Sequence, residues 1–259
     1  VPYHHINEYL PEGRDLLEEL ISEFHKRDIK VIARFDFSLA DDRTYQEHPE
    51  WFARDKDMNP MIAGATRMGG WDQLLTTCSL SGYRNEEVAV PILEEVLDRY
   101  AIDGIFLNAP TAPFCQCNHC QKEYMKKFGK PLPETIEEVE PDWLSGCTKA
   151  NIDVLYKAIK RKNENIPLIL YYAPFSEKIK GLGISHRDSI YDRLATADYI
   201  CCEAQNVLSA GIKGISCTEK PSLNMKSGFE PESGKRPFGI IHSCPGMDWR
   251  HVGLPKAEY

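Results

Sequence analysis

The 259-residue chain is 42% hydrophobic and 27% charged, enough apolar material for a packed core and no compositional case for disorder. Its net charge of -8 leaves no basic face for phosphate neutralisation and excludes nucleic acid as a partner. No apolar run approaches the roughly 20 residues that cross a bilayer, and the opening VPYHHINEYL lacks the basic and apolar regions of a signal peptide, so a cytoplasmic protein without a membrane partner is expected.

In chain order, VPYHH reads as the tail of a strand, and RDLLEELISEFHKR then predicts a helix. Leu16, Leu17, Leu20, Ile21 and Phe24 recur there at helical spacing, with acids opposite. IKVIARFDFS (29–38) predicts a strand, and residues 39–84 read as a long loop rich in Trp, Gly, Met and polar residues. NEEVAVPILEEVLDRY predicts a helix and IDGIFLNAP (102–110) a strand. A second long loop, 111–148, carries the cysteine cluster. The pattern repeats in ANIDVLYKAIKRKNE (helix), IPLILYYAP (166–174, strand), HRDSIYDRLATA (helix), ADYICCEAQ (197–205, strand) and RPFGIIHSCPG (236–246, strand). Continuous apolar strands alternating with helices predict a parallel sheet covered by helices.

Polar residues gather at the C-terminal ends of several strands and no GxGxxG turn follows any of them. A (β/α)8 TIM barrel therefore fits better than a doubly wound sheet. Five clear strands are fewer than the eight of a closed barrel, so the expectation is one α/β barrel domain over 1–259, incomplete in this chain. The long connections at 39–84 and 111–148 are read as loop insertions, the second Cys-rich, on the catalytic side.

The strands end in Arg34 and Asp36, Asn108, Tyr171 and Tyr172, Glu203 and Gln205, and His242. Carboxylates, an amide, a histidine and aromatic faces suit a sugar, whose hydroxyls need planar partners and whose ring needs a stacking surface. Glycoside hydrolysis needs two carboxyl groups, and Asp36 and Glu203 are the carboxylates at strand ends. Glu203 is assigned the proton transfer to the leaving oxygen and Asp36 the second carboxylate. His5, Arg34, Asn108, Tyr172, His242 and Trp249 are the expected sugar-binding residues. Plainer readings stand beside these: an Arg34 to Asp36 ion pair, Asn108 as a turn residue, His242 as a core histidine. Only one of His4 and His5 can face a pocket from an extended segment.

Cys115, Cys117 and Cys120 in CQCNHC suit a tetrahedral zinc site that needs a fourth ligand. Cys78 is the first choice, ahead of Cys147 and His119. A four-Cys site is closed to water and therefore structural. The 9 cysteines, odd in number and set in apolar runs such as DYICCEAQ, otherwise suit reduced thiols.

RFDFSLADDRTYQEHPEWFARDKDMNP, TTCSLSGYRNEEV, DGIFLNAPTAPFCQCNHCQKEY and HSCPGMDWRHVGLP resemble the hypothetical glycoside hydrolases, (β/α)8 barrels related to α-L-fucosidases and to family 42 β-galactosidases. The resemblance covers most of the chain and implies one or two strands before Val1 and at least one after Tyr259. It implies zinc at CxCxxC, as in the β-galactosidases. It also sets Asn108 where the fucosidases carry a nucleophilic Asp, and Ala109 where the β-galactosidases place a Glu after their Asn. The expectation is a glycoside hydrolase with a carbohydrate substrate, homo-oligomer formation being left open. A catalytically degenerate carbohydrate-binding or structural barrel is the alternative, and a metal-dependent hydrolase using His4, Asp36 and His242 comes third.

Overall fold

The computed structural model describes residues 13–63, 74–108, 112–172, 196–204 and 238–242. Helix α1 (Leu16–His25) opens on Asp15, whose side chain accepts the Glu18 N–H, and leads into β1 (Ile32–Phe35). After β1 come β2 (Leu39–Asp41), α2 (Asp42–Glu47) and β3 (Leu74–Thr76). Next come α3 (Ala89–Arg99), β4 (Gly104–Asn108), α4 (Asn118–Phe128) and α5 (Trp143–Lys162). β5 (Leu168–Tyr172), β6 (Tyr199–Ala204) and β7 (Phe238–His242) complete the described elements. The expected helix over HRDSIYDRLATA lies almost wholly outside the described residues.

The five strands predicted from apolar runs form one sheet in the order β1-β4-β5-β6-β7, every pair parallel. One face is closed: Ala33, Ile105, Leu107, Leu168 and Leu170 are buried against Ile92, Leu93 and Val96 of α3 and Ile152, Leu155 and Ile159 of α5. The other face is more open at its edges, with Ile32 48% and Tyr199 42% exposed. The parallel α/β sheet agrees with the expected class.

Both long connections contain more structure than a loop. Within 39–84, β2 and β3 pair antiparallel, Leu39 opposite Thr76. The first strand is correspondingly shorter than 29–38. It stops at Phe35 because the Asp36 carboxylate takes the N–H of Ser38 at 3.0 Å, a side-chain turn that sends the chain into β2. Within 111–148, α4 runs from the cysteine cluster to Gly129, which closes it at φ 68, a left-handed conformation that glycine takes without strain. α5 begins at Trp143, earlier than the predicted 150. Its first turns are buried in a second core with Tyr124 and Leu132, and Trp143 meets Tyr124 edge-on at 5.1 Å.

Candidate functional site at the strand ends

The candidate site is set by register. Arg34 pairs with Phe106 and Phe35 with Leu107. Asn108 pairs with Tyr171, Tyr171 with Cys201 and Cys201 with Gly239. Glu203 stands two positions beyond Cys201, so it shares the parity of Asn108. Tyr172 pairs with Cys202, and His242 pairs with Ala204. These two fall on the other parity, that of Leu107 and Leu170, which pair with one another. The strand-end tyrosine in register with Asn108 is thus Tyr171, which the sequence reading had not chosen. His5, His4 and Trp249 lie outside the described residues.

Asp36 and Asn108 meet directly. Asn108 Nδ2 donates to Asp36 Oδ2 at 2.7 Å, while the other carboxylate oxygen accepts from the Ser38 backbone and from the Ser38 hydroxyl. The amide thus takes one oxygen of the carboxylate and Ser38 the other, which fixes the plane of the group. Arg34 is exposed and forms no ion pair with Asp36. The plainer reading of that pair does not hold.

Behind this pair lies a small cavity lined by Phe35, Phe37, Ser38, Arg84, Asn108 and Asn151 among others. It has room for about one water molecule and not for a sugar. Arg84 is buried, and its Nε donates to Thr77 Oγ1 at 2.7 Å while Nη2 donates to the carbonyls of Thr77 (2.8 Å) and Ser38 (3.2 Å). Burial pulls its guanidinium down to about 10, against the charges of Cys78 and Asp36, which act to raise it. Asn151 of α5 holds the Arg84 carbonyl at 2.6 Å and the Asn85 side chain at 2.9 Å. Ser38, Arg84 and Asn151 were absent from the sequence reading. The one available signal was an arginine in the small and apolar run TTCSLSGYR.

The cysteines form a separate centre. The thiols of Cys78, Cys115, Cys117 and Cys120 all lie within 4.8 Å of one another and all four residues are buried. Cys78 Sγ is 3.5 Å from Cys120 Sγ and 3.8 Å from Cys117 Sγ. Four sulfurs about 2.3 Å from one tetrahedral ion stand about 3.8 Å apart, so the spacing fits such an ion. Backbone N–H groups also point at the sulfurs: Arg54 and Cys117 at Cys115 Sγ (both 3.4 Å), Cys120 at Cys117 Sγ (3.5 Å). Contacts with Cys115 and then Cys120 push the Cys117 thiol far down, whereas contacts with Cys115 and Cys117 push Cys120 far up. Four thiols this close cannot all ionise without a cation among them. Cys78 therefore joins the triplet as expected, while Cys147 and His119, the second choices, stand outside the group.

Cys78 follows β3 and the other three precede or open α4, so the centre ties the 39–84 connection to the 111–148 connection. The HPEW segment is a second tie. Trp51 stacks on His48 at 3.8 Å, leans on Tyr83 at 5.5 Å and donates to Glu87 at 2.7 Å. His48 thus occupies one face of its indole.

Residues 2–109, from the segment before α1 to the end of β4, match the family model described as hypothetical glycosyl hydrolase 6. That match covers less than half of the chain, and it agrees with the resemblance to the hypothetical glycoside hydrolases read from the sequence. No curated protein matches it. Among solved structures, it resembles α-L-fucosidase isoenzyme 2 from Paenibacillus thiaminolyticus with a TM-score of 0.51 at 17% identity, over 90% of this chain and 36% of that one. A GH42 β-galactosidase from G. stearothermophilus, solved as a catalytic mutant, gives 0.62 at 14% identity, over 81% and 35%. A β-galactosidase from Rahnella sp. R3 gives 0.59 at 14% identity, over 80% and 34%. These neighbours are TIM-barrel glycoside hydrolases, and likeness at such identities speaks for the fold alone. The chain spans about a third of the length of the structures it matches. The expected resemblance to fucosidases and family 42 β-galactosidases is found at the level of the fold.

Proposed function

We propose that the chain contributes most of a (β/α)8 barrel that hydrolyses a glycoside by carboxylate acid/base catalysis, with Glu203 protonating the leaving oxygen and Asp36 as the second carboxylate. The observation that carries this reading is the fixed Asp36 to Asn108 pair at the ends of β1 and β4, with Glu203 on the same register parity. Asn108 then serves mainly to hold Asp36. The sugar is bound by Arg34, by Tyr171 in preference to Tyr172, and by His5 and Trp249; His242, which shares the parity of Tyr172, is set aside on the same ground. The test is hydrolysis of a broad panel of aryl glycosides by wild type, Glu203→Gln and Asp36→Asn. Loss of about 10²-fold or more in each variant is expected, and full activity of Glu203→Gln on every substrate sinks the assignment. The engagement of Asn108, an amide, with Asp36 also favours a second reading, a degenerate barrel that binds carbohydrate without turnover. Calorimetric binding in the absence of hydrolysis across the panel would select it.

We further propose zinc as the ion of the four-Cys centre, held by Cys78, Cys115, Cys117 and Cys120. When bound, it supplies a closed structural crosslink with no open position for water. Zinc bound through reduced thiols suits a cytoplasmic location, and no helix among the described residues is long and apolar enough to cross a membrane.

A further inference from the structure

The geometry points to Arg84 as a positioning residue for Asp36: it anchors the turn that holds the Asp36 carboxylate to the loop that carries Cys78. The inference rests on the proposed reading of Asp36 as a working carboxylate. Ser38 supplies two of the three hydrogen bonds to Asp36, one through its N–H and one through its hydroxyl. The orientation of Asp36 therefore follows the backbone of residues 37 and 38. That backbone is pinned from behind. Arg84 Nη2 bonds the Ser38 carbonyl at 3.2 Å, the Thr77 N–H bonds the same carbonyl at 3.0 Å, and Thr77 Oγ1 bonds the Phe37 carbonyl at 2.6 Å. Arg84 also holds Thr77 at two points, its hydroxyl and its carbonyl. Thr77 directly precedes Cys78 of the four-thiol centre.

A side chain that only filled this space would be apolar, because desolvating a cation is costly. A guanidinium is suited to the place for another reason: its rigid fork of donors grips several acceptors at fixed angles, which an ammonium on a flexible stem does not. Arg84 is 1% exposed, and its carbonyl is itself held by Asn151 of α5 at 2.6 Å. Arg84 is therefore fixed to the helix layer through its backbone carbonyl and to the turn through its guanidinium fork. A continuous line of contacts runs from the cysteines through Thr77 and Arg84 to Ser38, Asp36 and Asn108.

The test uses the full chain labelled with [γ-13C]aspartate, the Asp36 resonance being assigned by its loss in Asp36→Asn. Arg84→Lys keeps the charge without the fork, and Thr77→Val removes the acceptor of Arg84 Nε at nearly constant shape. Both variants are expected to fold, to keep the wild-type metal content and to move the Asp36 resonance. On any aryl glycoside that the wild type hydrolyses, kcat should fall about tenfold or more with KM within about twofold. An unmoved Asp36 resonance in the folded variants overturns the inference. So does failure of both variants to fold, which would make Arg84 a core cation without a positioning role. Absence of hydrolysis by the wild type would count against the proposed function, and the resonance would still decide the part played by Arg84.

Discussion

Asp103 lies at the N-terminal end of β4, away from the candidate site, and it ties two strands together. Its carboxylate accepts the Val31 N–H at 2.8 Å, meets His25 Nε2 at 2.8 Å and pairs with Lys30 at 3.0 Å. Asp198, just before β6, repeats the device on the Leu168 N–H at 2.8 Å and on Lys160 at 2.9 Å. Burial alone would raise the Asp103 carboxyl, but the Val31 N–H, His25 and Lys30 outweigh it and bring it to about 2. A depressed carboxyl contributes stability that is complete above its unfolded value, near 3.9, and is lost as pH falls through about 2. Asp103→Asn should therefore cost about 1–2 kcal/mol at pH 7, with the gap to wild type closing between about pH 4 and pH 2. Thermal melts across that range check it, and a deficit unchanged at pH 2 would contradict the charge argument. At this scale the sequence was partly legible. Asp36 and Asn108 announce themselves as polar groups closing apolar runs. Tyr171 and Tyr172 do not separate, because β5 is apolar on both faces and its alternation carries no sign. Arg84 was hidden for a physical reason: its partners in the network are backbone carbonyls and a hydroxyl, which leave no pattern of side-chain types to read.

Among the elements, α4 depends on its first residues. Cys117 is its N-cap, with the sulfur accepting the Cys120 N–H, and Cys120 and Tyr124 bury one face against Trp143. The same thiols meet Cys78 from the 39–84 connection, so a bound ion closes a crosslink between two segments that the sheet alone does not join. Metal analysis should find about one zinc per chain, and Cys117→Ser should abolish it. Because such a site folds its own surroundings, the variant should also become sensitive to proteolysis within 39–84 and 111–148. Cleavage in those segments should rise while the protease resistance of α3, β4 and β5 persists. A zinc content unchanged in Cys117→Ser would remove the crosslink. The four-cysteine cluster was legible because the spacing is local for three of its members, and Cys78 stood in a run that returns to the same end of the sheet. The β2 and β3 ribbon was not legible, since three-residue strands are too short to establish a period.

At the scale of the whole molecule, the question is whether Asp36 and Glu203 can serve one bond. In the sheet order, β1 and β6 are separated by β4 and β5, so three strand spacings of about 4.8 Å set their ends about 14 Å apart if the sheet is flat. Two carboxyl groups on parallel stems at that distance exceed the about 5 to 9.5 Å over which either hydrolytic mechanism operates. Curling changes the sum: in a barrel, positions of one parity converge on the axis, and the gap between groups on non-adjacent strands shrinks. The shared parity of Glu203 and Asn108, the residue that holds Asp36, is thus a requirement of the proposed catalysis but becomes sufficient only if the sheet curls. Two measurements follow from this. The carboxyl separation in the closed barrel should fall between about 5 and 9.5 Å, near the lower end for retention and in the upper part for inversion. The double variant Asp36→Asn with Glu203→Gln should be no slower than the worse single variant, because groups acting on one bond as a unit are strongly non-additive. Additive losses, or a separation near 14 Å, would mean that the two carboxylates do not share a substrate, and the second carboxylate would then have to come from another strand of the barrel.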